Sequence, residues 1–350
     1  MDKVQKLHPY YSSSDPPSAG GSRSPSSRQA RTITKINGDF KGKDIISLDQ
    51  FSQIDIKILF SLVPKMREIA LGAMPSKIIA GKIVVLLFYE PSSRTFVSFS
   101  AAVKKLGGQT IEIQNPQQIS SVAKGESFED TIKTFEAYSD TIVIRHPEVG
   151  TAQNAAYAVK CVPIINAGDG VGEHPTQALL DLYTIYEKFQ RLDNLTVLLA
   201  GDILNGRTVH SLIRGLALYP KNTIFLLAPP SLRLSRKDYS YFQSRGVKLV
   251  EISDEKDIPK NADVWYWTRV QKERFNNIKD YEKVKNKYVV SQKFLDTYAD
   301  RHTILMHPLP RVGEILPEVD NDKRAIYLKN QIRNGTYVRM ALLALVLGKI

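Results

Sequence analysis

The feature that most constrains the fold is a regular alternation of short apolar segments and amphipathic helical segments. Apolar runs such as KIVVLLF, DTIVIRHP, NLTVLLAGD and NTIFLLAPP are separated from their neighbours by segments with apolar residues at helical spacing. Strands that are apolar along their length, with helices between them, are typical of parallel sheets covered on both faces. The alternation therefore predicts an α/β protein.

The alternation runs through twice, which predicts two domains. The first run opens with the capped helix SLDQFSQIDIKILFSLVPKMREIA and ends with the long helix HPTQALLDLYTIYEKF; the second opens at NLTVLLAGD. A chain of 350 residues is too long for one ordinary core. We predict two doubly wound parallel-sheet domains joined by helices. The predicted divisions are a disordered tail (1–38), a first domain (39–184), a second domain (185–330) and a C-terminal helix that packs back on the first domain (331–350).

The N-terminal segment YYSSSDPPSAGGSRSPSSRQARTIT is rich in Ser, Pro and Gly, which predicts disorder. It lacks the apolar region of a secretory signal, but its Ser and Arg leave an organelle transit peptide open as an alternative. No apolar run is long enough to cross a membrane. The single cysteine, Cys161, is interpreted as a core residue beside a strand. Low cysteine usage favours a reducing compartment, and we predict the cytoplasm.

A polar cluster, Ser92, Ser93, Arg94 and Thr95, lies where the strand KIVVLLF ends and a helix begins. The free N–H groups and the dipole of a helix N-terminus favour an anion, and hydroxyl and guanidinium groups add donors for phosphate oxygens. A helix N-cap is the alternative, but one serine is enough for it. The cluster therefore favours phosphate binding.

Similar polar residues follow the other predicted strands. They are Arg145 and His146; His174 and Gln177; Asp202, Arg207 and Thr208; Arg269, Gln271 and Arg274; and His307 and Arg311. Ligands of open parallel sheets bind beyond the carboxyl ends of the strands. We therefore expect Arg94, Arg145, Arg207 and Arg269 to meet in one cleft, which suits substrates with several negative charges.

The net charge of +12 leaves nucleic-acid binding as an alternative. The basic residues are scattered, however, and neither zinc-finger spacing nor an RNP signature occurs, so small anionic substrates are favoured. The sequence also lacks GxxxxGK[ST], GxGxxG, HExxH and GxSxG motifs. We predict direct transfer between two bound anions, without metal or cofactor, driven by positioning and electrostatic stabilisation.

Seven motifs in order resemble the catalytic chain of the aspartate carbamoyltransferase family. They are PSSRTFVSF, VIRHP, GEHPTQALLD, GDILNGRTVHSL, TRVQKERF, MHPLPRVGEI and NGTYVRMALL, and the resemblance covers residues 41–350. It implies a carbamoyl-phosphate domain followed by an aspartate domain, assembled as a homotrimer. It also implies transfer of the carbamoyl group of carbamoyl phosphate to L-aspartate, a step of de novo pyrimidine (UMP) biosynthesis.

The resemblance implies a role for each cluster. Ser92, Ser93, Arg94 and Thr95 would hold the phosphate, and Thr95, Arg145 and His174 would face the carbonyl oxygen. Gln177 and the carbonyls of Leu309 and Pro310 would orient the carbamoyl NH2 group, while Arg207, Thr208, Arg269 and Gln271 would clamp aspartate. Ser120 and Lys124, in QQISSVAKGESF, would serve the site of a neighbouring chain, with Lys124 reaching both substrates. From the residues alone, this segment is a loop that precedes a helix.

Two positions depart from the family pattern. Ser93 stands where the family usually has threonine, which keeps the hydroxyl, and Phe96 stands where it usually has a second arginine. The alternative substrate is ornithine, but Arg269 and Gln271 suit a carboxylate rather than an ammonium group, and Leu309 replaces the cysteine typical of ornithine enzymes. A non-catalytic relative is a further alternative, but it would have lost a ligand position, and none is lost.

Overall fold

The computed structural model describes residues 33–119, 124–275 and 277–350, and within them the predicted α/β fold is confirmed. The strands are β1 (Ile83–Phe88), β2 (Gln109–Gln114), β3 (Thr141–His146), β4 (Ile164–Asp169), β5 (Thr196–Ala200), β6 (Thr223–Leu227), β7 (Lys248–Ile252), β8 (Val264–Trp267) and β9 (Ile304–Met306). The helices are α1 (Gln53–Ala70), α2 (Ser93–Lys105), α3 (Pro116–Ile119), α4 (Phe128–Glu136), α5 (Thr151–Ala158), α6 (Pro175–Phe189), α7 (Arg207–Leu216), α8 (Arg236–Ser244), α9 (Ile278–Val284), α10 (Gln292–Tyr298) and α11 (Ile332–Val346).

The strands form two parallel sheets, with the orders β2-β1-β3-β4 and β7-β6-β5-β8-β9. The central strands β1, β3 and β5 are almost wholly buried, because helices cover both faces of each sheet, whereas the edge strands β2 and β7 are partly exposed. In each sheet, successive strands are added first on one side of the first strand and then on the other. The order therefore reverses between β1 and β3 and between β5 and β8. Ligands of such sheets bind at these switch points.

Helix α1 begins later than its apolar pattern predicts. The predicted helix starts near Ser47, but the structure has a separate 3₁₀ turn at Leu48–Gln50 before α1. Each piece has its own reciprocal cap: Ser47 Oγ accepts from the Asp49 N–H at 3.0 Å, and Ser52 Oγ accepts from the Asp55 N–H at 3.3 Å. Two capping serines in succession therefore divide the segment.

Helix α11 is a core helix that packs on α1, α2 and α6. Most of its side chains are buried, which explains the long apolar run near the end of the sequence. Helix α6, which follows the last strand of the first sheet, packs in turn on α7, which follows the first strand of the second sheet. The two sheets and their helices therefore share one continuous core. The division into domains at the predicted residue boundaries stays a prediction.

The interpretation of Cys161 as a core residue is wrong, because its side chain is exposed. The residue lies in the connection between α5 and β4, and the buried part of the strand begins only at Ile164. Its backbone N–H donates to Glu136 Oε1 at 2.8 Å, which fixes the turn without burying the thiol.

None of the helices in the described part of the chain is both long and apolar enough to cross a membrane.

Two isoleucines of α1 allow a matched test of this packing. Ile56 is 1% exposed and Ile54 is 67% exposed. We expect Ile56→Ala to lower the free energy of unfolding by about 2–5 kcal/mol, because it leaves a cavity in the core. Ile54→Ala should change it by less than about 0.5 kcal/mol. Denaturant unfolding of both variants measures the difference, and equal effects would contradict the burial of α1 against α11.

Candidate active site

The loops that follow the switch-point strands line one cleft of about 950 Å³. The structure brings together here the predicted residues Ser92, Ser93, Arg94, Thr95, Arg145, His174, Gln177, Arg207, Thr208, Arg269, Gln271, Leu309 and Pro310. They come from both sheets: the segments after β1, β3 and β4 supply one wall, and those after β5, β8 and β9 supply the other. The predicted convergence of Arg94, Arg145, Arg207 and Arg269 is thus seen in the geometry.

Three helices start at this cleft without a side-chain cap. The N-cap residues Ser92 of α2, His174 of α6 and Gly206 of α7 make no side-chain capping hydrogen bond. Away from the cleft, Ser127 and Ser235 do cap α4 and α8, accepting from backbone N–H groups at 3.1 and 3.0 Å. The capping alternative for Ser92 therefore fails. The first turn of α2 instead offers its N–H groups and dipole to an anion in the cleft. In α6, Pro175 has no N–H and that of Gln177 donates to the His174 carbonyl at 3.0 Å, so α6 contributes mainly its dipole.

A carboxylate that the sequence reasoning missed, Glu90, joins the arginines of the two sheets. Its Oε2 atom lies 3.0 Å from Nη2 of Arg145 and 3.3 Å from Nη1 of Arg207. Burial first, and then the charge of Arg207, lower the pKa of Arg145 to about 9, with Glu90 acting in the opposite direction. Glu90 lies two residues after the end of β1 and two residues before Ser92, so a carboxylate close to a strand end was the available signal.

A second missed carboxylate, Glu273, holds Arg269. The two side chains form a two-pronged ion pair in which Nη1 donates to Oε2 at 3.0 Å, and the hydrogen bond to Glu273 is the largest cause of the raised pKa of Arg269. Burial and the charge of Arg269 lower the pKa of Arg94 on the opposite wall. The four-residue spacing of Arg269 and Glu273 was the available signal.

Asp202 fixes the loop after β8, which carries Gln271, through a hydrogen bond to its backbone. The Gln271 N–H donates to Asp202 Oδ2 at 3.3 Å, and its side-chain NH2 donates to the carbonyl of Asn205 at 3.0 Å. Asp202 thereby ties the loop after β8 to the loop after β5, which carries Arg207 and Thr208.

His174 is a neutral imidazole in the floor of the cleft. It is 4% exposed, and its Nε2 atom lies 3.4 Å from Oγ1 of Thr95. Burial first, and then the charges of Arg207 and Arg145, lower its pKa well below the usual value. Its backbone N–H donates to Oγ of Ser211 at 3.0 Å, which anchors the start of α6 on α7.

His307 supports the loop that carries Leu309 and Pro310. Its Nδ1 accepts from the Leu309 N–H at 2.8 Å, so Nε2 carries the proton and donates to Glu314 Oε1 at 2.7 Å. The buried histidine thus orients the loop, whose two residues line the cleft.

Other polar residues singled out in the sequence lie elsewhere or have structural partners. His146 accepts from the Glu148 N–H at 3.1 Å and packs against Tyr89, and Arg311 pairs with Asp320. Lys124 is exposed and does not line the cleft of its own chain. Ser120 lies outside the described residues.

Of two further positions near the cleft, only one lines it. Phe96 packs edge-on against Phe88 with ring centroids 5.1 Å apart, so the residue at this unusual position belongs to the core. Arg339 of α11 was missed by the sequence reasoning; it lines the cleft, and its Nη1 donates to Ser98 Oγ at 2.8 Å. In the described ranges, no group of three or more His, Cys, Asp or Glu side chains could hold a metal ion.

Comparison with known proteins places this geometry in a family. Residues 43–187 match the family model of the aspartate/ornithine carbamoyltransferase carbamoyl-P binding domain, and residues 193–346 match that of the Asp/Orn binding domain. A chloroplastic aspartate carbamoyltransferase 3 of Pisum sativum is 45% identical over 88% of this chain and 78% of its own length. The multifunctional protein pyr1-3 of Dictyostelium discoideum is 47% identical over 88% of this chain, which spans only 14% of that protein.

A solved structure is also closely similar. Aspartate transcarbamoylase from Trypanosoma cruzi, in complex with carbamoyl phosphate and aspartate, is 37% identical, with a TM-score of 0.81 over 88% of this chain and 96% of that one. Its fold agrees with the two parallel sheets of this protein. The chain therefore belongs to the aspartate/ornithine carbamoyltransferase family.

Proposed function

We propose that this cleft transfers the carbamoyl group of carbamoyl phosphate to the amine of L-aspartate, giving N-carbamoyl-L-aspartate and phosphate. This reaction is a step of de novo pyrimidine biosynthesis. The observation that carries the proposal is the meeting of two anion sites: the uncapped start of α2 with Arg94 on one wall, and Arg207 and Arg269 on the other. The relatives, which are aspartate carbamoyltransferases by name, support the same reaction.

The phosphate of carbamoyl phosphate binds at the start of α2. Ser92, Ser93 and Thr95 donate hydroxyl hydrogen bonds, and the Arg94 guanidinium adds a charged pair. Because burial and repulsion from Arg269 both disfavour the charge on Arg94, an anion placed between the two walls relieves an existing electrostatic cost.

The carbonyl oxygen lies near Thr95, Arg145 and His174. When the aspartate amine attacks the carbonyl carbon, the C=O π electrons move to this oxygen, and the three side chains stabilise the charge that develops. The bond from the carbon to the phosphate oxygen then breaks, and the leaving phosphate takes the proton of the amine. His174 acts as a neutral hydrogen-bond donor because its pKa is too low for an imidazolium.

The two carboxylates of aspartate are held by Arg207, Thr208, Arg269 and Gln271. Glu90 and Glu273 hold the guanidinium planes of Arg207 and Arg269 in place before the substrate arrives. An arginine fork recognises a carboxylate and repels an ammonium group, which favours aspartate over ornithine.

The assembly is a homotrimer with shared sites, in which Ser120 and Lys124 of one chain reach the cleft of the next. The exposure of Lys124 outside its own cleft supports this arrangement. So does Val97, an apolar residue at the rim of the cleft that is 60% exposed.

The compartment is the cytoplasm. Import into an organelle through the N-terminal segment is the alternative, and the chloroplastic relative from Pisum sativum is the observation that favours it.

Ser92 separates a ligand role from a capping role. We expect Ser92→Ala to lower kcat/KM for carbamoyl phosphate by about 10- to 100-fold, since it removes a hydrogen bond to a charged group. Its free energy of unfolding should stay within about 0.5 kcal/mol of the wild type. The control Ser235→Ala removes a real cap and should cost about 1 kcal/mol of stability with kcat/KM unchanged. A Ser92→Ala variant that loses stability but keeps its activity would contradict the assignment.

Arg269 tests the aspartate side. We expect Arg269→Ala to raise KM for aspartate by about 100-fold or more, and KM for carbamoyl phosphate by less than about threefold, because a carboxylate loses its charged partner. The control Arg233→Ala removes an arginine that pairs with Glu251 and does not line the cleft. Steady-state kinetics measure both constants. Comparable rises in both KM values would argue against the role of Arg269. Formation of a carbamoylated product from ornithine by the wild type would contradict the proposed substrate.

Mixed assemblies test the shared site. Arg94→Ala and Lys124→Ala chains should each be inactive alone, and equal mixtures, dissociated and reassembled, should recover about a quarter of the wild-type sites if each site takes one residue from each of two chains. Activity and assembly mass are measured together. A mixture that forms trimers without recovering activity would rule out a site shared in this way.

A further inference from the structure

We propose that Asp181 is a positioning residue that fixes the orientation of the Gln177 carboxamide, so that the cleft selects a transferred group that carries NH2. The inference rests on the proposed function, in which Gln177 faces the carbamoyl NH2 group. Asp181 lies one helical turn after Gln177 on α6 and does not line the cleft itself. It acts through the side chains that it holds, and Gln177 is the one that reaches the cleft most directly.

Asp181 collects three hydrogen bonds in a fully buried position. Its side chain is 0% exposed. Oδ1 accepts from Nε2 of Gln177 at 3.0 Å and from Nε2 of Gln331 at 2.7 Å, while Oδ2 accepts from the hydroxyl of Tyr266 at 2.8 Å. A buried carboxylate with this many donors is well satisfied, and it holds its neighbours in a single arrangement.

The chemistry of the carboxylate decides which way each amide faces. An ionised carboxylate only accepts hydrogen bonds, so the amide group turned toward it must be NH2 and not C=O. The Gln177 oxygen therefore points away from Asp181 and is left for a partner on the cleft side, where Gln177 is a wall residue. An oxygen in that place accepts a hydrogen bond from an NH2 group, whereas a methyl group has no hydrogen bond to donate to it.

The same carboxylate also orders the loop on the other side of the carbamoyl group. Gln331 gives its NH2 to Asp181, so its oxygen is free to accept the backbone N–H of His307 at 2.9 Å. His307 in turn accepts from the Leu309 N–H, which sets the loop whose carbonyls at Leu309 and Pro310 also face the carbamoyl NH2. Asp181 thus directs acceptors toward this group from two directions.

This role of Asp181 depends on where its hydrogen-bond acceptor atoms lie and not on the charge of its carboxyl group. Burial raises the pKa of Asp181 to about 7, against the opposing effects of Gln331, Tyr266 and Gln177, so both ionisation states occur near neutral pH. A protonated Asp181 can still accept both amides on Oδ1 and donate from Oδ2 to Tyr266. Asparagine reproduces that pattern, with Oδ1 toward the glutamines and its NH2 toward the Tyr266 hydroxyl.

The test compares binding of carbamoyl phosphate with binding of acetyl phosphate, which has methyl in place of NH2. Calorimetry measures both dissociation constants without aspartate. For Asp181→Ala we expect carbamoyl phosphate to bind about 10-fold more weakly, because a buried acceptor is lost, and acetyl phosphate to change by less than about threefold. Asp181→Asn should keep the wild-type ratio of the two constants within about threefold.

Two controls isolate the pathway through Gln177. Asp55→Ala removes a buried carboxylate far from the cleft, at the start of α1, and should leave the ratio unchanged even where it lowers stability. In a Gln177→Leu background, Asp181→Ala should produce a smaller further loss of discrimination than it does in the wild type, since only the path through Gln331 remains.

Equal weakening of both ligands in Asp181→Ala, or an additive loss in the Gln177→Leu background, would overturn the inference. If Asp181→Ala does not fold, the folded Asp181→Asn variant decides, and a lost ratio there overturns it. Formation of N-carbamoyl-L-aspartate by the wild type tests the proposed function separately. An active wild type whose discrimination survives Asp181→Ala therefore removes only the role of Asp181.

Discussion

Glu90 holds the guanidinium groups of Arg145 and Arg207 on one carboxylate oxygen, and this double ion pair joins the two sheets across the cleft. Without it, two partly buried cations would face each other beside the neutral His174, at the start of α6. Repulsion of that kind is costly in a site of low dielectric. The cleft can therefore concentrate arginines only because a few acidic side chains fix their positions.

The sequence was enough to predict the architecture, because the signal for it is local. Short strands such as β1, β3 and β5 are apolar along their length, and each is followed by a helix with a polar start, so parallel sheets and the edge that carries the site both follow. The same reasoning predicted that Arg94, Arg145, Arg207 and Arg269 would meet. The reasoning failed in two places where an element begins later than its sequence pattern predicts. At Ser47 a second capping serine delays the start of α1, and at Cys161 the chain is still in the turn before β4.

The side chains that sequence reasoning missed act across long separations in the chain. Glu90 meets Arg207 from another sheet, Asp181 meets Gln331 from another helix, and Arg339 meets Ser98 from the end of the chain. A repeating sequence pattern does not identify partners of this kind. A single polar residue in a helix or loop is usually interpreted as a surface residue, and only the tertiary packing shows what it contacts. The residues that line the cleft were easier to predict than their supports because they cluster at strand ends.

The charges of the cleft also say what its full complement of ligands must be. Among the described residues, six arginines and two glutamates line it, while burial keeps His174 neutral, which leaves an excess of positive charge. A phosphate dianion alone neutralises part of that excess, and a dicarboxylate with a neutral amine neutralises the rest. Each anion therefore binds in a field that the other has not fully cancelled, and the pair together approaches neutrality. Because the carbamoyl NH2 group is uncharged, this field cannot distinguish it from a methyl group. That distinction depends on the direction of hydrogen bonds, which is the part of the site that the buried carboxylate of Asp181 controls.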